Sequence, residues 1–139
     1  MSWISVWFLR IGAIAGLCGM ALGIAMGASG DHSQMPLHAH VNLIGWVTML
    51  LYGLVYRVVP EAAESALARW QFMLAVGGLL IILPGLALIG MNDHETGTRF
   101  AIIGSILTVA AMALFAVIVF RATRTAGASA SRRPVPATR

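Results

Sequence analysis

Four uncharged apolar runs follow one another along the chain: Ile11 to Gly30, Val41 to Tyr56, Trp70 to Gly90 and Phe100 to Phe120. At ~1.5 Å of rise per residue, about 20 residues cross the hydrocarbon of a bilayer as one helix. The second run reaches that length once His38 to Pro60 is included, with Arg57 snorkelling outward at its end. Backbone left unpaired in lipid is too costly to tolerate, and none of the runs alternates like a strand, so each is expected to be a helix. Composition excludes the alternatives. Of 139 residues 59% are hydrophobic and only 10% charged, with a mean hydropathy of +0.86, where a soluble domain carries about 25% charge. A chain this small could not hide so much apolar surface in a water-soluble core, and disorder needs the opposite composition. The expected fold class is an all-α membrane protein, a bundle of four transmembrane helices.

The charges orient it. Nine arginines and no lysines supply the basic residues. Arg57, Arg69, Arg121, Arg124, Arg132, Arg133 and Arg139 fall in the second connection or the C-terminal segment. The first connection (Asp31 to Leu37) has no arginine and the third (Met91 to Arg99) only Arg99. The positive-inside rule then places both termini in the cytoplasm of a bacterial-type inner membrane, with the first and third connections outside. Arg10, preceded by Trp3 and Trp7, marks the inner interface of the first helix. The first run lacks a basic start and is too long for a cleaved signal peptide. The net charge of +4 thus belongs to one face of a membrane protein and does not point to nucleic acid. Residues 1–121 are read as the four-helix domain. Residues 122–139, rich in Ala, Ser, Thr, Pro and Arg, are read as a disordered cytoplasmic tail held near membrane lipid.

Gly12, Gly16, Gly19, Gly23 and Gly27 fall within roughly 80° of one face of the first helix. Small residues so spaced let another helix, or a flat ligand, approach closely. Pro84 interrupts the third run and Pro36 opens the second helix. Cys18 is the only cysteine, so neither an internal disulfide nor a cysteine-built zinc cage can form.

All four histidines, His32, His38, His40 and His94, lie on the outer side in this topology. Helix two opens Pro36-Leu37-His38-Ala39-His40-Val41-Asn42, so two imidazoles enter the outer edge of the membrane about 200° apart around the helix. With α-helical phasing His38 shares a face with Asn42, Gly45, Tyr52 and Tyr56, and His40 one with Ile44, Val47, Leu51 and Val58. Neutral imidazole is a good axial ligand for haem iron and a good ligand for copper or zinc. Histidines hydrogen-bonded to loops and nothing more are the bland alternative.

His40-Val41-Asn42-Leu43, then Trp46, Gly53, Tyr56 and Pro60-Glu61, resembles the second transmembrane helix of subunit I in the haem-copper oxidase superfamily, closest to the nitric oxide reductase branch. The resemblance covers about 25 residues and, loosely, the four-span layout. It implies a haem, b-type, with the residue at His40 as axial ligand and Asn42 beside it. His38-Ala39-His40 is also similar to a His-x-His on a later helix of that family, whose two histidines hold different haems. Nothing here matches the family's copper or non-haem iron ligands or its proton channels, so oxygen or nitric oxide reduction is not implied. The family's large subunit arranges twelve helices as three four-helix units. A single unit therefore implies a homo-oligomer, a trimer, in which one haem takes His40 from one chain and His38 from the next. The function so implied is electron transfer or gas sensing with an unidentified redox partner.

A rival reading gathers His32, His38, His40 and His94, helped by Asp31, Asp93, Met35 and Met91, into an outward-facing copper or zinc site for metal handling or oxidase assembly. Asp93 and Glu95 are alternatively caps of the fourth helix. Tyr52 and Tyr56 are read as packed tyrosines with hydrogen-bonded hydroxyls, and the methionines as core filler.

Overall fold

The computed structural model describes residues 2–131; the last part of the expected tail, 132–139, lies outside the described residues. Four helices long and apolar enough to cross a membrane make up the fold: α1 (Trp3–Ser29), α2 (Met35–Val58), α3 (Ala66–Gly90) and α4 (His94–Ser131). Among the described residues there is no strand.

Local chemistry sets the boundaries. The Ser2 hydroxyl oxygen accepts from Ser5 N at 3.2 Å and starts α1. Gly30, at φ +71°, ends it with its N–H on the Met26 carbonyl, the left-handed stop that glycine adopts without steric cost. A single helical turn, Pro60–Ala63, joins α2 to α3. The Ser65 oxygen accepts from Ala68 N at 3.1 Å to open α3, which runs on through Pro84 to Gly90. Asn92 then turns the chain at φ +69°, and Asp93 Oδ1 caps α4 by accepting from Thr96 N at 3.2 Å. Glu95 is not a cap; it pairs with Arg99 at 2.7 Å.

One boundary differs from expectation. The segment from Ala122 continues α4 to Ser131 instead of leaving the helix at 121. Extending an existing helix needs no new nucleus, and the alanines there are the best helix formers.

The helices pair as two antiparallel hairpins. In the first, α1 lays its glycines against α2: a Cβ on Gly12, Gly16, Gly19 or Gly23 would meet Leu50, Trp46, Asn42 or His38 respectively at 2.5–3.0 Å. The Ser5 hydroxyl donates to the Gly53 carbonyl at 2.9 Å across the same seam. Gly27, on the same face, has nothing within 4 Å, so the seam closes at Gly23. In the second hairpin the backbones themselves touch. A Cβ on Gly85 would stand 2.7 Å from Ala101 N, one on Gly97 2.7 Å from the Gly85 carbonyl oxygen, and one on Gly104 2.6 Å from Ile82 N. In lipid, helix association rests on such close packing and not on removal of apolar surface from water.

The two hairpins are joined by large side chains at the end remote from the histidines. Phe8 of α1 lies 5.3 Å from Tyr52, 6.0 Å from Tyr56 and 4.9 Å from Phe72, centroid to centroid. Tyr52 meets Phe115 of α4 at 4.5 Å. Edge and offset ring contacts of this kind add about 0.5–1.5 kcal/mol each beyond burial. Both tyrosines are packed and hydrogen-bonded, as expected: Tyr52 donates to Met112 Sδ at 3.7 Å and Tyr56 to Gln71 Oε1 at 3.2 Å.

Gln71 is fully buried in α3, and its Nε2 makes no hydrogen bond. Tyr56→Phe would orphan the amide oxygen as well, so this variant is expected to lose about 1–3 kcal/mol. Tyr56→Phe combined with Gln71→Leu removes both polar partners and should return close to wild-type stability. Reversible unfolding in mixed micelles measures both.

Candidate functional site

The histidine end is built on an unusual stretch of α2. Met35–His40 is α-helical, Val41–Thr48 is π-helical and Met49–Val58 is α-helical again. Pro36 sits in the first turn, where its missing N–H costs nothing. Thr48 supports the wide turn by donating its hydroxyl to the Leu43 carbonyl at 2.7 Å. A π turn holds about 4.4 residues against 3.6 in an α turn, and such segments are frequent at functional sites.

The π stretch changes which residues share a face. With α phasing His38 and Leu50, twelve positions apart, would diverge by about 120°. Underwinding across Val41–Thr48 brings His38, Asn42, Trp46 and Leu50 into one file against α1. Gly45, Tyr52 and Tyr56, which α phasing groups with His38, instead face the core with Val41 and Met49.

The two imidazoles of α2 have different surroundings. His40 Nδ1 lies 2.8 Å from the Pro36 carbonyl oxygen. A carbonyl can only accept, so in the neutral ring the proton sits on Nδ1 and Nε2 keeps a lone pair. The ring is half-buried and, two residues from His38, diverges from α1. Along the same four-residue spacing it is followed by Ile44, which packs against the core, and Thr48, whereas Val47 and Leu51 continue the exposed file of Leu43. His38 is turned the other way, its Cε1 2.8 Å from where a Cβ on Gly23 would be. Asn42 Nδ2 donates to the His38 carbonyl at 2.8 Å and reaches His38 Nδ1 only at a long 3.5 Å. Asn42 therefore serves the seam between α1 and α2 beside His38 and does not join His40.

His32 and His94 are exposed in the two connections. His32 Nδ1 lies 2.9 Å from the Gly30 carbonyl oxygen. The neighbouring Asp31 accepts from Ser33 N at 2.9 Å, and that backbone N–H holds its carboxyl below the ordinary range. Met35 and Met91 are exposed as well. Among the described residues no three His, Cys, Asp or Glu side chains converge on a point that could hold a metal ion. The four histidines are thus not brought together as one copper or zinc cluster within a chain.

Sequence reasoning passed over Gln34. Its Nε2 donates to the Ala87 carbonyl at 3.2 Å, while its Oε1 is buried without a partner. The side chain fits only because Gly90 has no Cβ, which would stand 2.5 Å away. Gln34 so fastens the residue before α2, and the turn that presents His40, to the end of α3. The chain has two glutamines, Gln34 and Gln71, and both tie an apolar helix to its neighbour. An amide in so apolar a sequence is the signal that could have found them.

Comparison with protein-family models, with curated proteins and with solved structures returns no match.

Proposed function

We propose that the chain is a membrane haem protein, with His40 as an axial ligand at the outer end of α2, acting in electron transfer or gas sensing. The supporting observation is the hydrogen bond of His40 Nδ1 to the Pro36 carbonyl at 2.8 Å. Histidines that ligate metals commonly donate the second ring nitrogen to a carbonyl or carboxylate, which fixes the tautomer and raises the basicity of the first. His40 stands at the end of the span, where the propionates of a macrocycle would reach water. A haem held by one imidazole keeps a coordination position open to a diatomic gas, and one held by two serves electron transfer.

In this reading His40 binds and orients, Pro36 holds its proton at Nδ1, and Gln34 fixes the turn on which both stand. His38, packed on Gly23, would join as second ligand only by leaving α1, either within its chain or toward a neighbour in the trimer that the oxidase resemblance implies. The arginine distribution supports an outer-side position for this end in a bacterial-type inner membrane.

The test is the absorption of the chain purified from haem-sufficient cells. A sharp Soret band, with α and β bands on reduction, is expected. A colourless protein with stoichiometric copper or zinc would replace this reading with metal handling. A colourless, metal-free protein would leave only the bundle.

A further inference from the structure

The opposite end of the molecule holds a second site, which does not rest on the haem reading. A cavity of about 220 Å³ opens between the start of α1 and the α2–α3 connection, lined by Ser2, Tyr56, Arg57, Pro60 and Glu64. Arg57 and Glu64 carry opposite charge into the same space, yet the two form no ion pair with each other. Ser2 Oγ accepts from Ser5 N, so its O–H remains free to donate. Donors and a positive charge therefore accompany acceptors and a negative charge, in a space large enough for a small zwitterion.

Position names the occupant. The cavity lies where α1 begins and α2 ends, the level at which a spanning helix meets lipid headgroups. Trp3 and Val58, the chain neighbours of Ser2 and Arg57, are 53% and 79% exposed, apolar surface at the level of the first segments of acyl chains. The geometry points to a headgroup site for a zwitterionic phospholipid with a primary ammonium, that is, phosphatidylethanolamine. Arg57 and the Ser2 hydroxyl take the phosphate, and the Glu64 carboxylate takes the ammonium. A trimethylated choline group has no N–H to give to Glu64, and a phosphatidylglycerol headgroup has no positive charge.

Native mass spectrometry of the full chain, in detergent doped with dioleoyl phosphatidylethanolamine, phosphatidylcholine or phosphatidylglycerol, tests this. One charge-assisted hydrogen-bond set lost corresponds to roughly tenfold in affinity. The wild type is expected to retain the ethanolamine lipid about tenfold more tightly than either other lipid. Glu64→Gln should level ethanolamine with glycerol lipid, and Arg57→Gln should lower retention of all three. Both positions are exposed, so neither substitution threatens the fold. Equal retention of the three lipids by wild type, an ethanolamine preference that survives Glu64→Gln, or retention unchanged in Arg57→Gln overturns the proposal. Competition by free phosphoethanolamine at concentrations equal to those of the lipid would assign the site to a soluble solute and overturn it as well.

Discussion

In the purified chain, His40→Ala removes the reduced-haem absorption and His38→Ala retains it. The expectation follows from the different ties of the two rings. His40 is half-buried, with Nδ1 on the Pro36 carbonyl at 2.8 Å and, in the neutral ring, Nε2 unengaged. The His38 ring lies against Gly23, inside the α1–α2 seam. Loss of even a supporting partner of a ligand typically weakens metal binding by about 10–100-fold, so loss of the ligand itself should reduce haem occupancy by more than about tenfold. Exogenous imidazole should restore the band to His40→Ala, because the space vacated by the ring remains and the helix is intact. A misfolded variant would show no such rescue. Carbon monoxide added to the reduced wild type then separates the two uses of the group: a shifted Soret band means an open position and gas binding, an unchanged one means two ligands and electron transfer. The reverse pattern, with the band lost in His38→Ala and kept in His40→Ala, would transfer the ligand role to His38 and remove the observation on which the functional reading stands.

The spans were legible because the bilayer penalises charge and unpaired backbone so heavily that four apolar runs admit one solution. The glycine face of α1 was legible for a related reason: residues three and four apart on a regular helix must share a side. Its contact with α2 instead of a ligand accords with the plain packing reading. Beyond Gln34, three features were not legible. The π stretch at Val41–Thr48 has no compositional signature, since one residue of underwinding per turn is selected by the fit of four α2 side chains to four α1 glycines and not by local propensity. That is why α phasing placed His38 with Tyr52 and Tyr56, whereas the helix presents it beside Trp46 and Leu50. The extension of α4 to Ser131 was hidden by serine, threonine and arginine, which read as loop when no preceding helix is assumed. The heptad spacing of Gly78 with Gly85, and of Gly97 with Gly104, stood in the sequence but was overshadowed by the longer glycine series of α1. For the histidines, sequence gave the residues and their divergence, while only the side-chain bonds separate a ring with a bare Nε2 from one consumed in packing.

That overlooked spacing carries the largest expected effect on stability. Gly78 and Gly85 of α3 face Gly104 and Gly97 of α4 in antiparallel register. The neighbours a methyl would meet at Gly85 include Ala101 N at 2.7 Å and the Gly97 carbonyl oxygen at 2.9 Å. These are backbone atoms of a rigid helix, so no rotamer change can make room, and the two helices must move apart. Gly85→Ala is expected to cost about 2–3 kcal/mol, the upper range for overpacking. Gly77→Ala is the internal control: it sits about two turns away on the same helix with nothing within 4 Å, and should gain a few tenths to about 1 kcal/mol from helix propensity alone. Gly97→Ala should cost about as much as Gly85→Ala, because its methyl would meet the Gly85 carbonyl oxygen at 2.7 Å. The double variant decides whether the contact is the cause. Once one methyl has separated the helices the second finds space already made, so the costs should fall short of additivity by more than about 1 kcal/mol. Reversible unfolding in mixed micelles gives all four values. Full additivity, or equal losses at Gly77 and Gly85, would mean that α3 and α4 do not meet through their backbones. Because Gln34 holds the turn before α2 to the Ala87 carbonyl of α3, wedging α3 away from α4 should leave His40 in place, and haem content per folded molecule should stay at the wild-type value.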